Sequence, residues 1–270
     1  MPEERDEILA HYALGEERDR LAGGLGAVEF ARTCEVVERQ LPPPPAVVAD
    51  VGGGPGRYAL WLAKRGYAVV HRDLVPLHVD QLGAAARSLG LEIASAVGDA
   101  RELDLADASA DVVLLLGPLY HLTRRADRVR ALAEARRVVR PGGHVFAAAI
   151  SRWAPRLHGE VALRLSESIP TAPAALAEAE RSGRLPPLFP GSFAGFCHRP
   201  GQLRAEVRAA GLECVDLVSV EGIAFALSDL EERLAVDASR AVVLDAARAL
   251  ERVPELVGLG PHLLATARRP

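Results

Sequence analysis

The sequence predicts an α/β protein in which a mostly parallel sheet is covered by helices on both faces and helical segments form a cap. Short apolar runs alternate with segments of helical periodicity between about residues 47 and 150, which is typical of parallel strands joined by crossover helices. A glycine-rich turn, VGGGPGRY, begins at the end of the first apolar run. With 270 residues, 49% of them hydrophobic, the chain is long enough to form one substantial core.

The first 45 residues are predicted to form an N-terminal helical cap. Helical patterns cover residues 7–14, 18–25 and 28–41. The run from Pro42 to Pro45 ends the helical character, because each proline lacks a backbone donor and favours an extended conformation. This run marks the boundary between residues 1–45 and the segment that follows.

Residues 46–150 are predicted to form the cofactor-binding α/β core. The predicted strands are 47–51, 67–70, 91–97, 111–116 and 144–150. The predicted helices between them are 57–65, 77–89 and 126–139. Gly66 and Gly90 follow two of these helices, at the position where a left-handed cap residue is needed. A turn at Pro141, Gly142 and Gly143 introduces the last strand of this segment.

The alternation is lost over residues 151–199, which are predicted to form an inserted lid. Helical patterns cover 157–165 and 174–182, and prolines, Pro190 among them, break up the rest of the segment. Residues 200–270 are predicted to complete the core with a helical insertion. Their predicted strands are 213–220 and 262–268, and their predicted helices are 202–210, 228–236 and 237–252.

Charge and composition disfavour a nucleic acid or a membrane as partner. The formal net charge is −4 and the isoelectric point is about 6.1, so the chain has no general attraction to phosphate backbones. Residues 124–140 contain seven arginines and two acids, a pattern predicted to be a solvated helix face in preference to a nucleic-acid groove. No apolar stretch approaches the length of a membrane span.

Other features of the sequence predict a cytoplasmic, bacterial protein without a metal site. The N-terminus is charged where a signal peptide needs an apolar run. Cys34, Cys197 and Cys214 are far apart, which predicts free thiols. Lys64 is the only lysine, and together with abundant alanine this indicates a GC-rich bacterial genome. The histidines and carboxylates show no recognisable metal-ligand spacing.

The glycine-rich turn is predicted to hold a nucleotide-like cofactor. Gly52, Gly54 and Gly56 form a G-x-G-x-G pattern that follows Asp50 in the first strand. A dinucleotide-binding G-x-G-x-x-G pattern counted from Gly52 would need glycine at position 57, which is Arg57 here. The turn is therefore one residue too short for that pattern, which disfavours a nicotinamide cofactor.

This turn and three further elements resemble the motifs of the class I S-adenosylmethionine-dependent methyltransferases. The further elements are HRDL, with Asp73 twenty-one residues after Gly52 (73 − 52), VGDAREL with Asp99, and LGPLYHL at residues 116–122. The resemblance covers about residues 47–150. It implies a Rossmann-like, doubly wound, mostly parallel seven-stranded sheet whose last strand is antiparallel, and S-adenosyl-L-methionine as the cofactor.

The resemblance also implies which residues contact the cofactor. Asp50, Gly52, Gly54 and Gly56 are expected around the methionine half, Asp73 on the ribose hydroxyls, Leu74, Asp99 and Ala100 at the adenine, and Leu116 and Gly117 at the mouth of the site. In the N-terminal cap, Arg32 could reach the cofactor carboxylate, with an ordinary helix-surface arginine as the alternative. Tyr12 could cover the cofactor.

Catalytic and substrate residues are predicted from their position relative to the sheet. His121 lies just beyond the end of a central strand and is the candidate general base; the alternative is a loop-packing or cofactor-binding histidine. Its neighbour Tyr120 is either a second catalytic group or a lining aromatic residue. Phe193, Phe196 and His198 are candidate substrate contacts if the inserted segment covers the cleft, and otherwise core or surface residues.

The predicted function is methyl transfer to a small-molecule acceptor in a capped cleft. One alternative is a protein that binds S-adenosylmethionine in a regulatory or non-methylating role. Another is an RNA methyltransferase, for which the arginine-rich helix is the only support. Nicotinamide-dependent oxidoreduction is a further alternative, and the short glycine turn opposes it. The sequence leaves open the acceptor atom and the oligomeric state.

Overall fold

The computed structural model describes residues 2–13, 15–189 and 191–270, and in this part of the chain nine strands form one sheet. The strands are β1 (Val47–Val51), β2 (Ala68–Asp73), β3 (Ala94–Val97), β4 (Ala110–Leu115), β5 (Val139–Ser151), β6 (Arg184–Leu185), β7 (Gly195–His198), β8 (Glu213–Ser219) and β9 (His262–Arg268). The predicted helix end at Leu14 and the predicted break at Pro190 lie outside the described residues.

The described residues also form ten α-helices. They are α1 (Pro2–Tyr12), α2 (Gly24–Glu38), α3 (Arg57–Ala63), α4 (Pro76–Ser88), α5 (Arg125–Val138), α6 (Leu165–Ser168), α7 (Ala172–Ser182), α8 (Pro200–Ala209), α9 (Leu230–Ala235) and α10 (Asp237–Leu250). Short 3₁₀ helices cover Glu16–Asp19, Pro118–Tyr120 and Ala224–Ala226, and a π-helical segment covers Pro155–Ala162.

The sheet has the predicted, mostly parallel arrangement. The strands β3, β2, β1, β4 and β5 are adjacent in that order and parallel. The last strand, β9, is antiparallel and lies between β5 and β8. The parallel strands therefore end at a common edge, and the strand order reverses between β1 and β4, which is where such sheets bind ligands.

Helices bury both faces of this sheet. In β4, the four residues from Val112 to Leu115 are fully buried, because α5 and α8 cover one face and α2, α3 and α4 cover the other. A strand that is buried on both faces carries apolar residues in succession, without alternation. The continuous apolar run that predicted β4 has this physical cause.

The inserted segment 151–199 contributes two strands that the sequence did not predict. In β7, the residues from Gly195 to His198 are all buried, and the strand pairs in parallel with the end of β5. The two-residue strand β6 pairs with β7 in antiparallel orientation. Four residues are too few to show a period, and β7 forms because the thirteen-residue β5 offers an open edge.

The N-terminal cap differs from the prediction between residues 18 and 25. A 3₁₀ turn at Glu16–Asp19 is followed by α2, which begins at Gly24. The chain folds back so closely here that a Cβ atom on Gly26 would overlap the carbonyl group of Arg20. Only glycine is compatible with this close approach, and the predicted helix over 18–25 is not formed.

The arginine-rich helix α5 is partly buried, which corrects the prediction of a solvated face. Arg128 is 2% exposed, and its guanidinium donates to both carboxylate oxygens of Glu206 on α8, at 2.9 and 2.7 Å. Arg137 forms ion pairs with Glu134 and Asp107. Several arginine charges of this segment are thus neutralised within the chain and are not available to a phosphate backbone.

Two composition-based predictions can also be compared with the described residues. Among them, Cys34, Cys197 and Cys214 are free thiols, as predicted. No helix in the described ranges is both long enough and apolar enough to cross a bilayer.

Candidate active site

A cavity of about 630 Å³ lies at the carboxyl edge of the sheet, where β1 and β4 diverge. Its walls come from the glycine loop, the ends of β2 and β4, the turn after β3, helix α4, and residues of α1 and the turn after it. Small-molecule sites usually measure about 300–1,000 Å³. The cavity therefore has room for a nucleoside-sized cofactor and part of a small acceptor.

The glycine loop brings bare backbone to the cavity, and the structure explains why side chains are excluded there. A Cβ atom on Gly53 would overlap the carboxylate of Asp50 beneath the loop. Gly56 has φ +86°, in the left-handed region that favours glycine, and the helix α3 begins directly after it. Gly52, Gly53 and Gly54 line the cavity, so a ligand can approach the loop closely.

Asp50 is a fully buried carboxyl group beneath this loop. By the geometry of the described residues, neither of its carboxylate oxygens has a well-formed hydrogen bond, although the backbone amide of Ala59 on α3 acts on the carboxyl group and lowers its pKa slightly. Burial, followed by the nearby charge of Asp73, raises the pKa of Asp50 to about 7. A donor or cationic group bound at the loop would stabilise the carboxylate and lower this pKa.

Asp73 ends β2 and is held by three donors. Its Oδ2 accepts from the Gly54 amide at 2.8 Å, while Oδ1 accepts from the Val75 amide at 2.9 Å and lies 3.0 Å from His78 Nδ1. Burial tends to raise the pKa of Asp73, but these hydrogen bonds outweigh it and hold the pKa below its usual value. Asp73 is therefore an ionised acceptor that fixes the glycine loop against β2.

Asp99, Ala100 and Leu74, which the sequence analysis assigned to the adenine, line the cavity. The carboxylate of Asp99 is already engaged by Arg101, whose amide and side chain donate to it at 2.6–3.0 Å. Leu116 and Gly117 lie at the end of β4 and also line the cavity.

His121 lies at the end of the Pro118–Tyr120 turn and faces the cap. Its Nε2 is 3.0 Å from the hydroxyl of Tyr12 on α1, and its Nδ1 is buried without a partner among the described residues. Burial lowers the pKa of His121 to about 3, so the imidazole is neutral near pH 7. Burial also raises the pKa of Tyr12 and of Tyr120, so both stay phenols.

The two cap segments meet beside His121. The ring of Phe193, from the inserted segment, lies 4.3 Å from the His121 ring and 6.1 Å from the Tyr12 ring, measured between centroids. His11 Nδ1 is 2.9 Å from the carbonyl oxygen of Gly191. The N-terminal cap and the inserted segment thus share a group of aromatic rings, the aromatic wall. Tyr12, Tyr120 and His121 line the cavity, whereas Phe193, which was predicted to contact the substrate, packs against them outside the lining.

Unpaired buried polar atoms are concentrated at this site. His78 Nε2, Gln81 Oε1 and His121 Nδ1 have no hydrogen-bond partner among the described residues, and all three residues line the cavity. The two oxygens of Asp50 lie unpaired just beneath the glycine loop. Because buried polar groups in proteins are nearly always paired, a bound ligand or ordered water would supply these partners. Arg32 Nε, His198 Nδ1 and Ser219 Oγ are unpaired elsewhere among the described residues.

Three predicted site residues lie elsewhere, which corrects the sequence analysis. Arg32 is fully buried and forms ion pairs with Glu251 and Glu35, away from the cavity. His198 is fully buried on β7, 3.1 Å from Glu206. Phe196 packs beneath the Arg128 guanidinium, 3.6 Å from the ring centroid. The last two belong to the sheet and its support, because their segment is a strand and not part of a lid.

Other residues of the site were missed by sequence reasoning. Arg20 lines the cavity and donates to both carboxylate oxygens of Glu29, at 2.6 and 3.2 Å, and to Glu17 at 2.6 Å. His78 and Gln81 reach the cavity from α4. These two residues are three positions apart on a helix that begins beside Asp73. This spacing places them on one helix face and was the signal in the sequence that could have predicted their role.

One cluster has the composition of a metal site, although the sequence predicted none. One carboxylate oxygen of Glu29, one of Glu221 and one ring nitrogen of His262 all lie within 4.8 Å of one another. Burial lowers the pKa of His262, but Glu221 and Glu29 outweigh it and raise the pKa to about 9. His262 is therefore protonated near pH 7 and hydrogen-bonds to Glu221, while Arg20 occupies Glu29. We describe the cluster as an ion-pair network.

Comparison with known proteins decides the family. A family model described as a methyltransferase domain matches residues 49–147. The ubiquinone/menaquinone biosynthesis C-methyltransferase of Acidiphilium cryptum is 38% identical over 122 residues, which are 44% of this chain and 47% of that protein. A SAM-dependent methyltransferase structure from Methanosarcina mazei matches with a TM-score of 0.60 at 18% identity, over 87% of this chain and 96% of that one.

Residues 49–147 form a methyltransferase domain of the class I S-adenosylmethionine-dependent methyltransferase superfamily.

A further structure of this superfamily has the same fold. The 1,6-didemethyltoxoflavin-N1-methyltransferase of Burkholderia thailandensis, solved with 1,6-didemethyltoxoflavin and S-adenosylhomocysteine, matches with a TM-score of 0.58 at 18% identity, over 98% of this chain and 86% of that one. The chain spans about half the length of the curated relatives it matches first. The predicted superfamily, the α/β fold and the cofactor S-adenosyl-L-methionine are confirmed.

The residues of this methyltransferase domain fit that cofactor. The glycine loop leaves backbone accessible where a side chain would block it. Unpaired acceptor oxygens on Asp50 suit an ammonium group, and the ionised carboxylate of Asp73 suits hydroxyl donors. The volume and the polar lining of the cavity agree with a zwitterionic nucleoside.

Proposed function

We propose that the protein transfers a methyl group from S-adenosyl-L-methionine to a small-molecule acceptor inside the capped cavity. The observation that carries this proposal is the cluster of unpaired buried polar atoms around one cavity, between the glycine loop and the aromatic wall. The N-terminal cap lines the cavity through Tyr12, and Phe193 of the inserted segment packs against Tyr12 and His121 outside the lining. A partly enclosed pocket of this size suits a bounded organic acceptor better than a macromolecule.

The cofactor would be held along the carboxyl edge of the sheet. We assign its methionine half to the loop of Asp50, Gly52, Gly54 and Gly56, its ribose to Asp73, and its adenine to Leu74, Asp99 and Ala100, with Leu116 and Gly117 beside the sulfonium. Arg20 replaces Arg32 as the arginine proposed to pair with the cofactor carboxylate, because Arg20 lines the cavity beside the glycine loop.

The acceptor is proposed to be a flat, unsaturated ring. Phe193, Tyr12, Tyr120 and His121 place their rings within 4.3–6.1 Å of a neighbour in the same group, and stacked or edge-on rings favour planar ligands. The quinone-pathway relative and the toxoflavin methyltransferase carry names that refer to ring compounds, which agrees with this assignment.

Bound S-adenosylmethionine supplies an activated methyl group, so the protein chiefly has to align the acceptor and exclude water. His121 is proposed to accept the acceptor's proton at Nδ1, since Nε2 is engaged by Tyr12. This role requires the tautomer in which the Nε2 proton is donated to the Tyr12 hydroxyl oxygen. Burial lowers the pKa of His121, so Nδ1 is unprotonated in the neutral range but is a weak base. The proposed role therefore requires the bound acceptor and cofactor to raise this pKa.

A two-step experiment tests the proposal. Calorimetric titration with S-adenosylhomocysteine measures cofactor binding, and release of S-adenosylhomocysteine from S-adenosylmethionine in the presence of phenols, quinols and nitrogen heterocycles measures transfer. We expect micromolar-range binding and turnover with at least one ring class. Binding of NADH alone would contradict the cofactor assignment. Cofactor binding with transfer only to RNA, or with no transfer to any acceptor, would contradict the proposed substrate class.

A further inference from the structure

His78 is a buried histidine whose two ring nitrogens have different surroundings. It lies in the first turn of α4, which begins at Pro76, and it is 2% exposed. Its Nδ1 is 3.0 Å from Asp73 Oδ1, and an ionised carboxylate can only accept hydrogen bonds. Nδ1 therefore carries a proton, and in the neutral ring Nε2 presents a lone pair.

That lone pair has no partner among the described residues. Nε2 of His78 is buried and unpaired, in a side chain that lines the cavity. The neighbouring His71 shows the opposite arrangement: its Nδ1 is 2.9 Å from the Ser95 hydroxyl and its Nε2 is 3.1 Å from the Gly54 carbonyl oxygen. His71 is thus fully paired, whereas His78 keeps one ring nitrogen unpaired among the described residues and at the cavity.

Asp73 alone has too few free acceptor positions for a ribose diol. A carboxylate offers about four lone-pair positions, and three are used by the Gly54 amide, the Val75 amide and His78. A ribose brings two hydroxyl donors. The second hydroxyl needs another acceptor beside Asp73, and His78 Nε2 is a buried, unpaired acceptor on the residue directly bonded to Asp73.

We propose that His78 is a second ribose-recognition residue, whose Nε2 accepts a hydrogen bond from one ribose hydroxyl while Asp73 accepts from the other. This inference rests on the proposed function, because it needs the cofactor's nucleoside at β2. In this arrangement Asp73 and His78 recognise the sugar together. The proposal also explains why a histidine occupies the first turn of α4.

The test compares S-adenosylhomocysteine with its 2′-deoxy and 3′-deoxy analogues by calorimetry. The variant is His78→Asn, whose side-chain amide can still donate to Asp73 but lacks the Nε2 acceptor. Asp80→Asn is the matched control, because Asp80 is an exposed residue of the same helix. We expect the wild type and the control to bind S-adenosylhomocysteine about tenfold more tightly than His78→Asn, which corresponds to about 1.4 kcal/mol.

The deoxy analogues identify which ribose hydroxyl donates to His78. They also show whether the substitution weakens binding directly or only by disturbing Asp73. One deoxy analogue should bind wild type about tenfold more weakly than S-adenosylhomocysteine, and His78→Asn should bind that analogue and S-adenosylhomocysteine equally well. Binding by His78→Asn within twofold of wild type, or an undiminished analogue effect in the variant, would overturn the inference. Failure of the wild type to bind S-adenosylhomocysteine would instead contradict the proposed function.

A second measurement needs no variant. In protein labelled with ¹⁵N-histidine, S-adenosylhomocysteine should shift the His78 Nε2 resonance upfield, because accepting a hydrogen bond changes the shielding of an unprotonated nitrogen. The identified deoxy analogue should leave the resonance in place. A His78 Nε2 that carries a proton in the complex would contradict the proposed acceptor role.

Discussion

Asp73→Asn should weaken cofactor binding by about 10- to 100-fold with a modest loss of stability. The carboxylate of Asp73 accepts from the Gly54 amide, the Val75 amide and His78, at 2.8, 2.9 and 3.0 Å. In the amide variant, one oxygen can still accept from Val75 and His78. The other position becomes an NH₂ group, which faces the Gly54 N–H and leaves that donor unpaired.

The magnitude follows from the bonds that change. Hydrogen bonds to charged groups contribute about 1.5–3 kcal/mol, against about 0.5–1.5 kcal/mol for neutral ones. Replacing the charged acceptor for a ribose hydroxyl and displacing the Gly54 amide should together cost about 1.4–2.8 kcal/mol of binding, which is the 10- to 100-fold change. The glycine loop is affected directly, because Gly54 belongs to it.

Calorimetric titration with S-adenosylhomocysteine measures this effect, and Asp104→Asn is the control. Asp104 is an exposed acid that forms an ion pair with Arg72. Arg72 directly precedes Asp73 in the sequence. The control should bind as wild type does. If Asp73→Asn binds within twofold of wild type while remaining folded by circular dichroism, the ribose does not lie at Asp73 and the reasoning is refuted.

Three further variants test other parts of the structure. His121→Phe should lower the transfer rate by about 10²–10⁴-fold with S-adenosylhomocysteine affinity nearly unchanged; full activity would assign catalysis to alignment alone. Glu206→Gln should lower the free energy of unfolding by about 3 kcal/mol, since a buried pair with Arg128 is broken; urea titration checks this, and a loss below 1 kcal/mol contradicts it. Burial tends to raise the pKa of Glu206, but His198 and Arg128 outweigh it and lower the pKa to about 2. The contribution of Glu206 to the free energy of unfolding is therefore complete above pH 4.5 and is lost as the pH falls toward 2. The pKa of His262 is raised to about 9, so its contribution to stability is present below about pH 6.5 and is lost as the pH rises through 9; thermal melts should show this loss in wild type and not in His262→Phe.

Local sequence signals were sufficient for most of the core. The strand predicted at 262–268 coincides with β9, and that at 47–51 coincides with β1. Both are apolar runs with clear breaks on either side, so pattern and tertiary burial agree. The glycine turn was informative for a different reason. Asp50 lies so close to Gly53 that only glycine fits at this position, so the sequence itself shows the constraint.

Long-range pairing explains what the sequence did not reveal. Strand β7 depends on the open edge of β5, and four residues cannot display a period. Arg128 was assigned to solvent because its neighbours are charged, yet it is buried against Glu206, 78 positions along the chain. Such partners are defined only by the folded topology.

The candidate site was predicted in part for the same reason. Motif spacing placed Asp73 and Asp99 on the cavity wall, since each ends or follows a strand of the sheet. No spacing rule could choose between Arg32 and Arg20, because long-range packing decides which of them lines the cavity. Arg32 is buried against Glu251, whereas Arg20 lies in the cavity lining. His78 and Gln81 project from a helix face whose orientation depends on packing.

A crystal structure of the protein with S-adenosylhomocysteine bound would test the central assignment most directly. We predict that the methionine half lies against the glycine loop above Asp50, with one ribose hydroxyl within hydrogen-bonding distance of Asp73. Binding of the ligand outside this cavity, or with its ribose away from the end of β2, would contradict the account.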